Sequence, residues 1–432
     1  MAINSVPESE QIQSGLRLDN EARNESQSGR GHSEPPPHSL RQLAYLLPRS
    51  ADELRLKRSG FHAHAQGSSA FSTGLADYAH SLLAGWYSHE ACLPQAEQQT
   101  NETSRLARLF GSLEQRKAVV TTAFHPIVRE QEDLPVIQAD SQGIRLRGKQ
   151  TFGADALQAD ELLVFIRERG EHAPTAALLV PVQSKGLALQ PVGSGETASS
   201  PTGVQVIYED VEVPCDRVLI NNDSAYVSAI LTHPLVRSLA DYQWASRQLA
   251  AIELLAGTAF ALAAQTGLSR ELHIQGELGK LIQGIETLKA LLHAAEIGAA
   301  PSPSGLLLPS FVPTLAARKA GGELYAKGVQ VLQRIGATAF LDDPGNAATP
   351  AGTVDQERRK PTLLQLAWQL AGSSEAARST LHEQHAFGDP LSQSQELYRH
   401  YPGHELRGRY HAFWQTIRQL GEHHYHFEEV RQ

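Results

Sequence analysis

Near the C-terminal end, the run WQLAGSSEAARSTLHEQHAFGDP from Trp368 to Pro390 sets Arg378 among glycine, alanine and serine. Side chains this small let a flat ligand approach the backbone, and a guanidinium suits a phosphate or carboxylate. The same composition also suits two closely packed helices with Arg378 in a surface pair, and spacing alone favours that plainer reading. Tyr78, in LADYAHSLLAGWY, offers a hydroxyl to a substrate oxygen, or else a core ring with its hydroxyl at the rim. Glu253, inside LAAIELLAGTAF, is a candidate buried base or, more commonly for such a position, a helix-surface carboxylate.

Other chemical signals are weaker. GSGETA, Gly193 to Ala198, imitates a dinucleotide fingerprint but ends in alanine and is not followed by the helix of a βαβ unit. His423, His424 and His426 lie in a terminal tail with no second shell to orient them, so no metal site is expected. Cys92 and Cys215 are the only cysteines, too few for a disulfide framework or an all-cysteine iron–sulfur cluster, which fits a reducing cytoplasm. A net charge of −9 gives no basic footprint for nucleic acid. No uninterrupted apolar run approaches the roughly 18 residues of a membrane helix.

The elements that position these residues fall into three expected parts after a polar leader, residues 1–38, which contains Pro35-Pro36-Pro37. A helical part spans 39–117, with SLRQLAYLL, a Gly/Ser/His-rich gap from Ser59 to Ser72, and an amphipathic helix on which Leu75, Tyr78, Leu82 and Leu83 share a face. A β part spans 118–220: AVVTTAF, PVIQ, IRLRG, ELLVFI and TAALLVPV are short strands broken by Gly, Pro, Asp and Ser, suggesting an antiparallel sheet or barrel. It ends in VIYEDVEVPCDRVLI, Val206 to Ile220, where alternation stops at Pro214 and the chain turns toward helices. A helical bundle then fills 221–432. Within it Ile274, Leu278, Leu281, Ile285, Leu288, Leu292 and Ala295 keep a heptad-like seam suited to a bundle or to a homodimer or homotetramer interface.

In its order of parts the chain resembles flavoproteins built like acyl-CoA dehydrogenases: α+β, with a helical N-terminal part, an antiparallel β middle and a C-terminal helical bundle. More specifically, the spacing Trp368, Gly372, Ser373, Arg378, Glu383, Gly388 resembles the C-terminal signature of the 4-hydroxyphenylacetate 3-hydroxylase family. DYAHSLLAGWY resembles that family's substrate helix, TTAFHPIV its flavin-contact strand, and VIYEDVEVPCDRVLI the end of its β domain. The resemblance runs from about Ser39 to about Gln415.

It implies an oxygenase component that hydroxylates a phenolic or other aromatic compound with O2 and reduced FAD supplied by a separate reductase. It also implies site residues. Tyr78 and His125 would act in catalysis, and Tyr78, Thr121, Ser199 and Ser200 would hold the substrate. Thr121, Thr122, His125, Gly153, Ser373, Ser374, Glu375, Ala376 and Arg378 would hold the flavin. Departures fall at the substrate end, where Gly74 stands for the family's arginine and Thr121 for its histidine, and also elsewhere: the threonine the family offers to flavin is here Gly153 or is displaced to Thr151, and Cys215 stands where relatives often carry tryptophan. An acyl-CoA dehydrogenase-type enzyme, with Glu253 or Glu375 as base, is the alternative, as is a flavin-binding relative without catalysis.

Overall fold

The computed structural model describes residues 43–67, 75–93, 105–123, 136–140, 142–166, 174–192, 203–341, 362–386 and 388–420. The leader, GSGETA, the C-terminal histidines and the candidates Gly74, His125, Ser199 and Ser200 lie outside the described residues.

Among the described residues the N-terminal part holds α1 (Ala51–Gly67), α2 (Leu75–His89) and α3 (Arg105–Arg116). α1 continues through the expected gap as far as Gly67. Packing overrides local propensity there: Leu54, Lys57 and Phe61 are buried, and Lys57 Nζ donates to the carbonyls of Leu43, Ala44 and Leu46. Gly60 allows the close approach, because a Cβ there would lie 2.2 Å from Leu43.

Among the described residues eight strands follow: β1 (Val120–Thr122), β2 (Val136–Asp140), β3 (Gly143–Phe152), β4 (Glu161–Ile166), β5 (Ala176–Pro181), β6 (Leu187–Val192), β7 (Gly203–Pro214) and β8 (Val218–Ile220). They form two four-stranded sheets, ordered β1-β4-β5-β8 and β2-β3-β7-β6. All pairings are antiparallel except β1 with β4, which is parallel and departs from the uniformly antiparallel expectation.

β4 and β5 read as unbroken apolar runs because the first sheet is covered on both faces. Leu162, Val164 and Ile166 face the second sheet, while Leu163, Ala177 and Leu179 face the helices around α2. The segment from Val206 to Ile220 is where the chain changes sheet: β7 belongs to one, and after Pro214 and a short turn at Cys215–Arg217, β8 completes the other.

The rest is helical apart from one short antiparallel pair, Ala300–Pro301 with Leu307–Leu308: α4 (Ser224–Thr232), α5 (Pro234–Gln265), α6 (Leu272–Ile297), α7 (Phe311–Gly336), α8 (Leu363–Ala371), α9 (Ser374–His385), α10 (Pro390–His400) and α11 (Gly403–Leu420). Starts are marked chemically. His233 accepts from Leu235 N–H ahead of Pro234 in α5, Thr362 and Gln365 form a capping box on α8, and Asp389 caps α10 ahead of Pro390.

α5 is the spine. It is long and apolar enough by composition to cross a membrane, but most of it is buried in the bundle against α1, α2, α6, α7 and α8. The heptad seam of α6 is buried by α5 and α7 of the same chain, and its Glu277–Lys280 and Glu286–Lys289 pairs both close at 3.0 Å. By contrast, α11 leaves Leu406, Tyr410, Phe413, Trp414 and Ile417 exposed at helical spacing, an apolar stripe.

Candidate functional site

α2 brings Tyr78 into the molecule, 6% exposed, with its ring edge-on to Trp244 of α5 at 6.3 Å between centroids. Burial pushes its hydroxyl pKa far above the ordinary range. Tyr78 therefore stays protonated, a donor and not a base. The same helix holds β1: His80 Nε2 lies 2.6 Å from the Ala118 carbonyl oxygen and 3.2 Å from Val120 N, and Tyr45 donates to the same carbonyl.

β1 ends its sheet, so one of its edges pairs with β4 and the other faces α2. Peptide groups alternate between the two edges of a strand. Since Val120 N–H turns toward His80, the peptide groups of Thr122 turn the same way. The side chains of Thr121 and Thr122 are held within the protein. Thr121 Oγ1 donates to Asp155 Oδ2 at 2.5 Å, and Thr122 Oγ1 donates to the Leu163 carbonyl at 2.9 Å. Both hydroxyls are occupied internally, so what β1 turns toward α2 is backbone. Gly153 precedes the short turn Ala154–Gln158 that carries Asp155, and this turn packs against β1 and α2. Thr121, Thr122, Gly153 and the Tyr78 helix are thus brought together.

The C-terminal candidates sit on α9. Ser373 is its N-cap, accepting from Ala376 N–H and donating to the Gln369 carbonyl, so its hydroxyl is occupied. Ala376 is buried, whereas Ser374 and Arg378 are exposed. Glu375 is half-buried, and desolvation raises its carboxyl above the usual range. At the far end, His382 packs edge-on to Trp244 at 5.4 Å, which joins α9 to Tyr78 through one indole.

Glu383 proves to be an ion-pair residue. It accepts from Arg247 Nη2 at 2.5 Å and from Gln248 Nε2 at 3.0 Å. Arg247 in turn lies over the Trp244 ring, 4.3 Å from its centroid. Two glycines of α7 make room. A Cβ on Gly321 would meet Gln248 Oε1 at 2.5 Å, and one on Gly322 would meet the Glu383 carbonyl oxygen at 2.6 Å.

A second buried set is Arg237, Asp241, Arg318 and Glu396. Arg237 Nη2 donates to Asp241 at 2.8 Å, Arg318 Nη2 to Glu396 at 2.5 Å, and Arg237 also pairs with Glu396. Glu253, the other carboxylate of interest, is paired with His62 at 2.9 Å and Lys289 at 3.5 Å; the His62 hydrogen bond foremost lowers its pKa, against a base. Sequence reasoning passed over Trp244, Arg247 and Asp155. One signal was available for the first two: in LADYQWASRQLA apolar residues occur all round the helix, which marks a buried helix and not a surface one.

Residues 235–415 match the family model described as 4-hydroxyphenylacetate 3-hydroxylase C terminal. The chain is 24% identical to a probable 4-hydroxyphenylacetate 3-monooxygenase of Bacillus subtilis (strain 168), over 86% of this chain and 84% of the relative. The chain is thus similar to the 4-hydroxyphenylacetate 3-hydroxylase family, over its C-terminal part by the family model and over most of its length by this relative. It is also 24% identical to the 4-hydroxyphenylacetate 3-monooxygenase oxygenase component of Thermus thermophilus, over 90% of this chain and 86% of the relative.

The crystal structure of the oxygenase component HpaB complexed with FAD superposes with a TM-score of 0.72 at 20% identity, covering 88% of this chain and 86% of that one. An archaeal 4-hydroxybutyryl-CoA dehydratase from N. maritimus superposes at 0.66 with 14% identity, covering 90% and 84%. The mixed helix-and-sheet fold, with its mostly helical C-terminal part, is shared with these structures.

Proposed function

We propose that the chain is a flavin-dependent oxygenase component that hydroxylates a phenolic or other aromatic compound. What carries the reading is the junction of β1's open edge with the Tyr78 helix, in a chain similar along most of its length to 4-hydroxyphenylacetate 3-monooxygenase oxygenase components.

The residues present fit FAD. The Thr122 peptide groups give an edge for a planar ring, and exposed Arg378 with Ser374 on α9 suits its phosphates. When bound in reduced form, FAD supplies the two electrons that let O2 place one oxygen atom on the aromatic ring while the other leaves as water.

The remaining work falls to side chains. Tyr78, kept protonated by burial, donates to the phenolic oxygen and orients the ring. His125 takes the phenolic proton, since Tyr78 cannot, and Ser199 and Ser200 complete the substrate contacts. Trp244 with Leu82 and Leu83 of α2 keeps water out. A separate reductase supplies reduced FAD.

The protein acts in the cytoplasm, where exposed Cys92 and Cys215 stay reduced. It assembles as a homodimer or homotetramer, for which the α11 stripe offers a face. The parts 39–117, 118–220 and 221–432 form its three domains.

Rapid mixing of the FADH2-loaded protein with O2 and a phenol tests the reading. Hydroxylated product should form in step with flavin oxidation. Flavin oxidising at its free-solution rate, with all the oxygen ending as hydrogen peroxide, would refute it. Glu375 favours one other reading, an acyl-CoA dehydrogenase-type base, because desolvation raises its carboxyl pKa. Bleaching of bound oxidised FAD by an acyl thioester would establish that reading instead.

A further inference from the structure

α2 and α5 run antiparallel in close contact, and their register can be read at two levels. A Cβ on Gly85 would lie 2.0 Å from the Val236 carbonyl oxygen, and Tyr78 meets Trp244. Going seven residues toward the start of α2 corresponds to eight residues along α5. One turn further on, the first turn of α2 comes level with Arg247.

At this layer Gln243 is fully buried, and among the described residues neither its Oε1 nor its Nε2 has a hydrogen-bond partner. Arg247, four residues on and therefore on the same helix face, leaves its Nε unpartnered while Nη2 holds Glu383. Buried amides are normally satisfied, because desolvating both ends without compensation destabilises the fold. Two donors and an acceptor left open side by side, next to the Tyr78–Trp244 contact, are the complement of a ligand.

The local charges select its kind. Arg247 is matched by Glu383, and Arg237 and Arg318 by Asp241 and Glu396. Among the described residues, a carboxylate brought here meets Arg237, Arg247 and Arg318, each already matched by a carboxylate. A neutral group with a donor and an acceptor on adjacent atoms meets matching partners.

We propose that Gln243, with Arg247 Nε, recognises a carboxamide on an aromatic substrate whose phenol lies at Tyr78. The amide N–H donates to Gln243 Oε1, and the amide oxygen accepts from Gln243 Nε2 and Arg247 Nε. The inference rests on the α2–α5 layer being the aromatic substrate site of the proposed hydroxylase, though not on oxygen chemistry taking place there.

Calorimetric titration of the full chain, with and without oxidised FAD, tests it using 4-hydroxyphenylacetamide against 4-hydroxyphenylacetate. The amide should bind at least about tenfold more tightly. Gln243→Leu should remove that preference while melting no lower than the parent, since it deletes an unsatisfied buried group and adds none. The proposal is overturned by acid binding equal to or tighter than amide binding, by no amide binding, or by a Gln243→Leu variant that keeps the amide preference. Because no turnover is measured, amide selectivity without coupled hydroxylation would keep this inference and remove the oxygenase reading.

Discussion

Glu383 is a residue whose meaning changes with its surroundings. In the sequence it is one position in a spaced signature. In the structure it is the carboxylate that neutralises Arg247, held in place by the bare backbone of Gly322. Removing one partner of a buried ion pair strands the other. Glu383→Ala should therefore lose about 3–5 kcal/mol of stability in urea unfolding, whereas Arg378→Ala, at an exposed position, should leave stability nearly unchanged and weaken flavin binding. Tyr78 was legible from the sequence because helical spacing places it on the buried face of α2. The Thr121–Asp155 and Arg247–Glu383 bonds were not, because their partners are 34 and 136 residues apart and no local pattern links them.

At the scale of elements, the contact between α2 and α5 sets the site's geometry. Gly85 has a Val236 carbonyl oxygen where a Cβ would go, and backbone cannot step aside as a flexible side chain can. Gly85→Ala should cost about 1–3 kcal/mol through forced separation of the two helices, visible as a lower urea midpoint with an unchanged m-value. Element types were largely readable: alternation and apolar runs marked the strands, and the α6 seam marked its helix. Pairing direction was not. A three-residue strand such as β1 has no feature that separates a parallel from an antiparallel neighbour, and its place beside β4 follows from what α2 packs against it. The continuation of α1 through Ser59–Gly67 was hidden for a related reason, since a buried Lys57 with three carbonyl partners outweighs poor helix formers.

For the molecule as a whole, acid should act through its histidines. His89, His233, His382 and His400 all have pKa values lowered from 6.5, in each case chiefly by burial. Below that pH the unfolded chain takes up protons that the folded chain refuses, so stability is full above about pH 6.5 and declines as pH falls through the lowered values. His89 illustrates the cost: Nδ1 donates to the Gly85 carbonyl and Nε2 accepts from Ser304, an acceptance that protonation abolishes. Melting temperature against pH should show this decline, and His89→Gln should shallow it. The parallel pairing of β1 has a consequence in time as well. Val120–Thr122 cannot pair until the chain has closed a loop to Glu161–Leu163, and non-local closures of this kind come slowly. The open edge beside Tyr78 is thus among the later parts of the protein to form, and a ligand that grips it should act chiefly as a brake on unfolding, lengthening the lifetime of the folded chain more than it hastens folding.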